Sequence, residues 1–95
     1  MAPQFSWDRW KAAGNVEKHR VTFEEAASVF QDPMAVIFDD GLHSEEEYRE
    51  LIIGHSERNR LLIVSFTERD DIIRIISART AKKRERDSYE QYRKR

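Results

Sequence analysis

Residues 61–78 read LLIVSFTERDDIIRIISA. Two apolar runs, Leu61–Phe66 and Ile72–Ala78, flank the polar residues Glu68-Arg69-Asp70-Asp71. That is the pattern of two strands joined by a tight turn. A connection this short makes the strands antiparallel. Ile63 is opposite in phase to Leu62 and Val64, and Ile73 and Ile75 are opposite to Ile72 and Ile76. Both faces of the hairpin are therefore apolar and need cover.

Upstream, Leu51-Ile52-Ile53 reads as a strand ending near His55, and Ser56-Glu57-Arg58-Asn59 as a turn. Ala35-Val36-Ile37-Phe38 is a further apolar run before the turn signal Asp40-Gly41. Glu45-Glu46-Glu47 fits the start of a strand or of a short helix. At the amino end, Phe5-Ser6-Trp7 reads as a first strand. Asp8 then offers an N-cap to a helix over Arg9–His19, with Trp10, Ala13 and Val16 on one side and Gly14 weakening its middle. Thr22-Phe23-Glu24-Glu25 has the form of a capping box, in which Thr22 accepts from the third helical amide and Glu25 reaches back. Phe23, Ala26, Ala27 and Phe30 continue as an apolar helical stripe until Asp32-Pro33 stops it. Trp7, Trp10, Phe23 and Phe30 are expected in the core. From Thr80 onward the chain is polar and helix-prone, with Tyr89 and Tyr92 on a thin apolar face. The order β-α-α-β-β-β-β-α defines an α+β domain: two N-terminal helices packed on an antiparallel β-meander, with a C-terminal helix.

Ninety-five residues make one domain. A chain of this length buries only roughly 60–65% of the surface its unfolded form exposes. The absence of cysteine removes disulfides, thiolate catalysis and Cys-based zinc sites from consideration. No apolar run is long enough for a membrane span and no signal-type stretch opens the chain, so a soluble cytoplasmic protein is expected. The formal net charge of −1 conceals a segregation. Residues 1–73 carry eight Lys/Arg against fifteen Asp/Glu, and residues 74–95 carry nine against three. A chain with one basic end engages a polyanion locally while staying mildly acidic overall. A solvated terminal helix is the other reading of the same charges.

Several stretches, taken in order, resemble the BrnT toxin family. They are Phe5-Ser6-Trp7-Asp8, Lys11-Ala12, Asn15-Val16-Glu17-Lys18-His19, Val21-Thr22-Phe23-Glu24-Glu25-Ala26 and Val29-Phe30-Gln31-Asp32-Pro33. Ile53-Gly54-His55-Ser56, Arg60-Leu61-Leu62-Ile63-Val64, Thr67-Glu68-Arg69, Ile73-Arg74-Ile75-Ile76-Ser77-Ala78-Arg79, Ala81 and Glu85-Arg86-Asp87-Ser88-Tyr89-Glu90 follow. Arg20 departs from the family's usual glycine, Arg9-Trp10 from its Pro-containing pair, and the tail after Glu90 lies outside the pattern. The resemblance implies a RelE-like fold and an mRNA-cleaving ribonuclease toxin that inhibits translation. It also implies neutralisation by a DNA-binding antitoxin of the BrnA kind. Operator DNA would be reached only through that antitoxin, with a dimer of toxins inside a heterotetramer as one arrangement.

RNA supplies its own nucleophile, the 2′-hydroxyl, so cleavage requires proton transfer and stabilisation of extra charge on phosphorus. No cofactor or metal is expected, since the histidines lack ligand spacing. The resemblance favours Arg69 and Arg79 as the guanidinium groups that meet the phosphate. These two end opposite strand termini, so either two basic spots flank an extended RNA or only one lies in the active site. Glu68, which ends the apolar face of Leu62, Val64 and Phe66, suits a base if it is not ion-paired. His19 is a candidate acid or base and Lys18 a phosphate contact, unless both simply complement a helix dipole. Lys82, Lys83 and Arg84 form a candidate backbone-binding patch, and Tyr89 either stacks on a base or packs the last helix. His43 and His55 are read as surface residues. The alternative to an enzyme is an RNA- or protein-binding module acting as co-repressor with a DNA-binding partner.

Overall fold

The computed structural model describes residues 3–41 and 48–94. Glu45-Glu46-Glu47 and His43 lie outside the described residues. The elements run β1 (Gln4–Ser6), α1 (Arg9–His19), α2 (Phe23–Ser28) with a 3-10 turn at Val29–Gln31, β2 (Val36–Asp39), β3 (Glu50–His55), β4 (Leu61–Arg69), β5 (Ile72–Thr80) and α3 (Lys83–Arg93). They build one five-stranded sheet in the order β1-β5-β4-β3-β2. β2 to β5 form the antiparallel meander, and β1 joins the outer edge of β5 in parallel. No helix among the described residues is long and apolar enough to cross a membrane.

The deciding hairpin is longer than its apolar runs suggest. Asp70 and Asp71 both take left-handed backbone angles, φ 54° and 66°. Two such residues make the mirror-image turn whose twist matches that of the strands, and aspartate tolerates that region better than most side chains. The turn therefore needs only two residues, and Thr67, Glu68 and Arg69 extend β4 instead of belonging to the turn.

The pairing also slips once. Ser65 faces Ser77 but Phe66 faces Ile75, so Ile76 is an extra residue on β5. This bulge resets the alternation of that strand. Ile73, Ile75 and Ala78 thereby share one face and join Ile52, Leu62, Val64 and Phe66 under Val21, Phe23, Ala26 and Val29. The register places Arg74 and Arg79 together on the opposite face, although five positions apart in a regular strand would separate them.

α1 does not present the expected side. Trp10 is 73% exposed, Val16 is 39% exposed and Ala13 faces solvent. Asn15 is buried in their place. Its Oδ1 accepts from the Ala78 amide at 3.1 Å, and its Nδ2 donates to the Ala78 carbonyl at 2.8 Å and to the Val21 carbonyl at 2.9 Å. β1 covers only the first three residues of β5, and the side-chain amide stands in for the missing strand further along. Satisfying a buried peptide outweighs burying a tryptophan that has room elsewhere. Trp7, Phe23 and Phe30 pack as expected: Trp7 meets Phe23 edge-on at 5.9 Å and Phe30 meets Phe66 at 4.9 Å.

Half of the capping box forms. Thr22 Oγ1 accepts from the Glu25 amide at 3.0 Å. The Glu25 carboxylate turns inward rather than back, pairing with the Arg60 guanidinium and accepting from Ser56 Oγ at 2.7 Å. The Arg60 hydrogen bond, with help from Ser56 and against burial, holds the Glu25 pKa below its usual value.

Candidate active site

The helices α1 and α2 occupy one face and one edge of the sheet. The second face carries α3, which touches β5, β3 and β2 in turn. Near its start, Arg79 of β5 grips Glu85 with two hydrogen bonds of 2.7 Å. One turn on, Tyr89 lies edge-on to His55 at 6.0 Å and donates its hydroxyl to the Met34 carbonyl at 3.3 Å. Near its end, Tyr92 meets Phe38 of β2 at 6.0 Å. The path from β5 to β2 leaves a groove of about 400 Å³ under the helix, lined by His55, Leu61, Arg86, Tyr89, Glu90 and Arg93, with Lys94 at its end. That volume suits one nucleotide-sized group.

His55 is anchored from behind by Asp32, 23 positions earlier. Asp32 Oδ2 accepts from the His55 amide at 2.8 Å and lies 3.8 Å from imidazole Nδ1. Burial raises the Asp32 pKa, but the His55 and Met34 amides and the charges of His55 and Arg93 outweigh it and keep the carboxyl ionised below its ordinary value. Burial and the Asp32 charge push the Tyr89 pKa up against the opposing pull of Arg93, so its hydroxyl stays a donor. The Arg93 guanidinium lies 5.8 Å from the centre of the Tyr89 ring. The groove thus joins an imidazole with the Asp32 carboxylate behind it, a neutral phenol, the carboxylate Glu90 and the cations Arg86, Arg93 and Lys94. This is a set able to hold a phosphodiester and exchange its protons.

The residues marked from sequence fall in three places. Arg79, Lys82, Lys83, Arg84 and Tyr89 surround the start and body of α3. Arg79 is engaged by Glu85, whose pKa this pairing lowers to about 2, and Lys83 bonds Asp87 at 3.0 Å. Lys18 and His19 end α1 and do not line the groove, with His19 half-buried and Lys18 exposed. Glu68 and Arg69 sit beside the Asp70-Asp71 turn at the far end of the sheet. Arg79 pairs with Ile63, six residues from Arg69 on β4, so the two arginines stand about 20 Å apart along the strand. They do not meet at one phosphate. Glu68 is exposed rather than closed into an apolar pocket. The carboxylate held above its usual range is its neighbour Glu50, through burial first and then the charges of Glu68 and Asp39.

Sequence reading missed Asp32, His55, Arg86 and Arg93 as one group. Asp32 carried only the signal of a helix stop. The i, i+3, i+7 spacing of Arg86, Tyr89 and Arg93 was the available sign that these three share a helix face. Among the described residues no three His, Asp or Glu side chains gather as metal ligands.

Comparison with known proteins gives two findings. The chain is similar in fold to the ribonuclease toxin BrnT of Brucella abortus, known from a 1.1 Å crystal structure. The TM-score is 0.67 at 21% identity, covering 85% of this chain and 99% of that one. No curated protein matches in sequence. Residues 7–85 match the family described as ribonuclease toxin, BrnT, of type II toxin-antitoxin system. With most of its length matched in this way, the chain belongs to the BrnT family of ribonuclease toxins.

Proposed function

We propose that this chain is a metal-independent endoribonuclease that cleaves mRNA in the groove beneath α3 and so inhibits translation in the cytoplasm. The scaffold is read as RelE-like, and a BrnA-like antitoxin as the partner that neutralises it and carries it to operator DNA. The observation that carries the reading is the convergence of His55, Tyr89, Arg86 and Arg93 on one groove. Proton transfer falls to His55, since His19 and Glu68 lie outside. The imidazole takes the 2′-hydroxyl proton as that oxygen attacks phosphorus, and the imidazolium returns a proton to the departing 5′-oxygen. Asp32 steadies the imidazolium, and Arg86 and Arg93 face the charge that develops on the phosphorane. Arg79 is a positioning residue: through Glu85 it sets the helix that supplies the cations. Lys82, Lys83 and Arg84 form a cationic border for the RNA backbone at the start of α3, and Lys18 meets the backbone separately from the end of α1.

Purified chain, free of antitoxin, is expected to cleave RNA in EDTA and leave 2′,3′-cyclic phosphate and 5′-hydroxyl ends. His55→Gln is expected to slow cleavage by roughly 10²-fold or more with an unchanged circular dichroism spectrum. RNA left intact across a concentration series of the wild type would overturn the reading, and full activity in His55→Gln would remove the groove from it.

A further inference from the structure

The second face of the sheet continues past α3. Its next row runs across three strands: Ser6 of β1, Arg74 of β5 and Thr67 of β4 are register partners, and Arg69 follows on β4. Register partners on neighbouring strands share a face. Phe5 packs on the core and Ile73, Ile75 and Phe66 are part of it. The alternating residues Ser6, Arg74, Thr67 and Arg69 therefore point the other way. They line a depression of about 580 Å³ together with Tyr48.

Arg69 and Arg74 are exposed, and neither forms an ion pair among the described residues. Glu68 and Asp70 also border the depression, without bonding either guanidinium. Tyr48 is 60% exposed, and its hydroxyl donates to the Asp39 carboxylate, which fixes the direction of the ring. Two free guanidinium forks, two hydroxyls and a tethered, open aromatic ring are the parts that hold single-stranded nucleic acid: cations for phosphate, a ring for a base.

From these observations we infer that the depression at Ser6, Tyr48, Thr67, Arg69 and Arg74 is a second RNA subsite, which binds the substrate backbone away from the scissile phosphate. It rests on the ribonuclease reading for its ligand. The bulge at Ile76 makes the subsite possible, because it turns Arg74 to the same face as Arg79. With the bulge counted, Arg74 lies four ladder steps, about 13 Å, along the sheet from Arg79, and farther from the groove beyond it, so a dinucleotide in the groove does not reach it. A longer strand does. Arg69 thus acts in binding and not at the reacting phosphorus.

The test compares wild type with Arg69→Ala/Arg74→Ala on two probes, a fluorescent single-stranded RNA of about a dozen nucleotides and a dinucleotide. Binding is followed by anisotropy against salt, and cleavage by product release. For the longer RNA, affinity is expected to fall roughly tenfold, and the slope of log affinity against log salt to shrink by about 1.4. KM rises by the same factor, kcat stays within twofold, and dinucleotide cleavage is unchanged. Arg69→Lys/Arg74→Lys restores most of the salt slope. Tyr48→Ala weakens the longer RNA without altering the slope. Unchanged affinity in the double alanine variant would overturn the subsite even if cleavage proceeds. Equal loss on both probes would overturn it too, placing these arginines at the reaction. A wild type that binds with this salt slope but never cleaves would instead sink the ribonuclease reading and leave the subsite standing.

Discussion

Replacing Glu85 by Gln tests how the groove is held together. α3 leans on the sheet through few anchors: the Arg79–Glu85 fork, Tyr89 on His55, and Tyr92 on Phe38. Glutamine keeps the shape and one acceptor for the Lys82 amide, which donates to the carboxylate at 2.8 Å. It removes the charge that Arg79 grips. The Glu85 pKa falls from 4.5 to about 2, chiefly through the Arg79 hydrogen bond and against burial. By linkage that fall corresponds to about 3 kcal/mol as an upper bound. Arg79 and Glu85 are 34% and 29% exposed, so solvent screening lowers the figure to about 1–2 kcal/mol. The sign follows from a folded pKa below the unfolded one. The stabilisation is fully present above 4.5 and drains away as pH falls from 4.5 toward 2. Amide hydrogen exchange reads this segment by segment. In Glu85→Gln at neutral pH the α3 amides should exchange about 5–30 times faster, while β4 and β5 stay protected. RNA cleavage should fall with α3 order, since Arg86, Tyr89 and Arg93 leave the groove together. Unchanged α3 protection in the variant would refute the reasoning. So would wild-type α3 protection that, corrected for intrinsic rates, holds level relative to the sheet between pH 5 and pH 3.

Three further outcomes follow from the packing. Glu25→Gln leaves Arg60 half-paired beside a 4% exposed site and should cost about 3 kcal/mol in denaturant unfolding. Because the Glu25 pKa is lowered, the same stabilisation in the wild type should fade as pH drops below the ordinary glutamate value of 4.5. Asn15→Leu strands the amide and carbonyl of Ala78 and should cost about 2–4 kcal/mol, despite adding apolar surface to a helix. Trp10→Ala should change stability by no more than about 0.5 kcal/mol, whereas a core tryptophan would cost about 3–5 kcal/mol.

The strands were legible because β-branched runs bounded by turn residues leave few alternatives. Their register was not. The slip at Ile76 has no local signature, since Ile75-Ile76 looks the same to a period-2 pattern whichever of the two is extra. Yet it decides which arginines share a face. α1 misled for a related reason. Trp10, Ala13 and Val16 have the spacing of a buried stripe, but the edge of β5 required a hydrogen-bonding side chain, and only the tertiary structure reveals that need. Glu25 has the spacing of a capping residue and the burial of an ion-pair partner. The competing Arg60 lies 35 positions away. Around the groove, Arg79 stands out in the sequence as the end of the last strand and Tyr89 as part of the thin apolar face of the last helix. The Asp32–His55 pair does not, because nothing in either residue's neighbourhood names the other.

The charge segregation along the chain becomes a segregation in space. The basic last quarter is β5 and α3, and it delivers Arg74, Arg79, Arg86 and Arg93 to the second face. On the opposite side, Glu24 and Glu57 border the hollow between α2 and the start of the β3–β4 turn. A polyanion approaching such a molecule is turned toward one face before any contact forms, and the near-zero net charge leaves this orienting field without strong overall attraction. Affinity then depends on local contacts, so RNA capture should be steeply salt-dependent even though the protein as a whole is mildly acidic. The same geometry bears on control. A neutralising partner does not need to reach the imidazole if it displaces α3 or lays carboxylates along the second face, because Arg86, Arg93 and the groove itself are products of one weakly anchored helix.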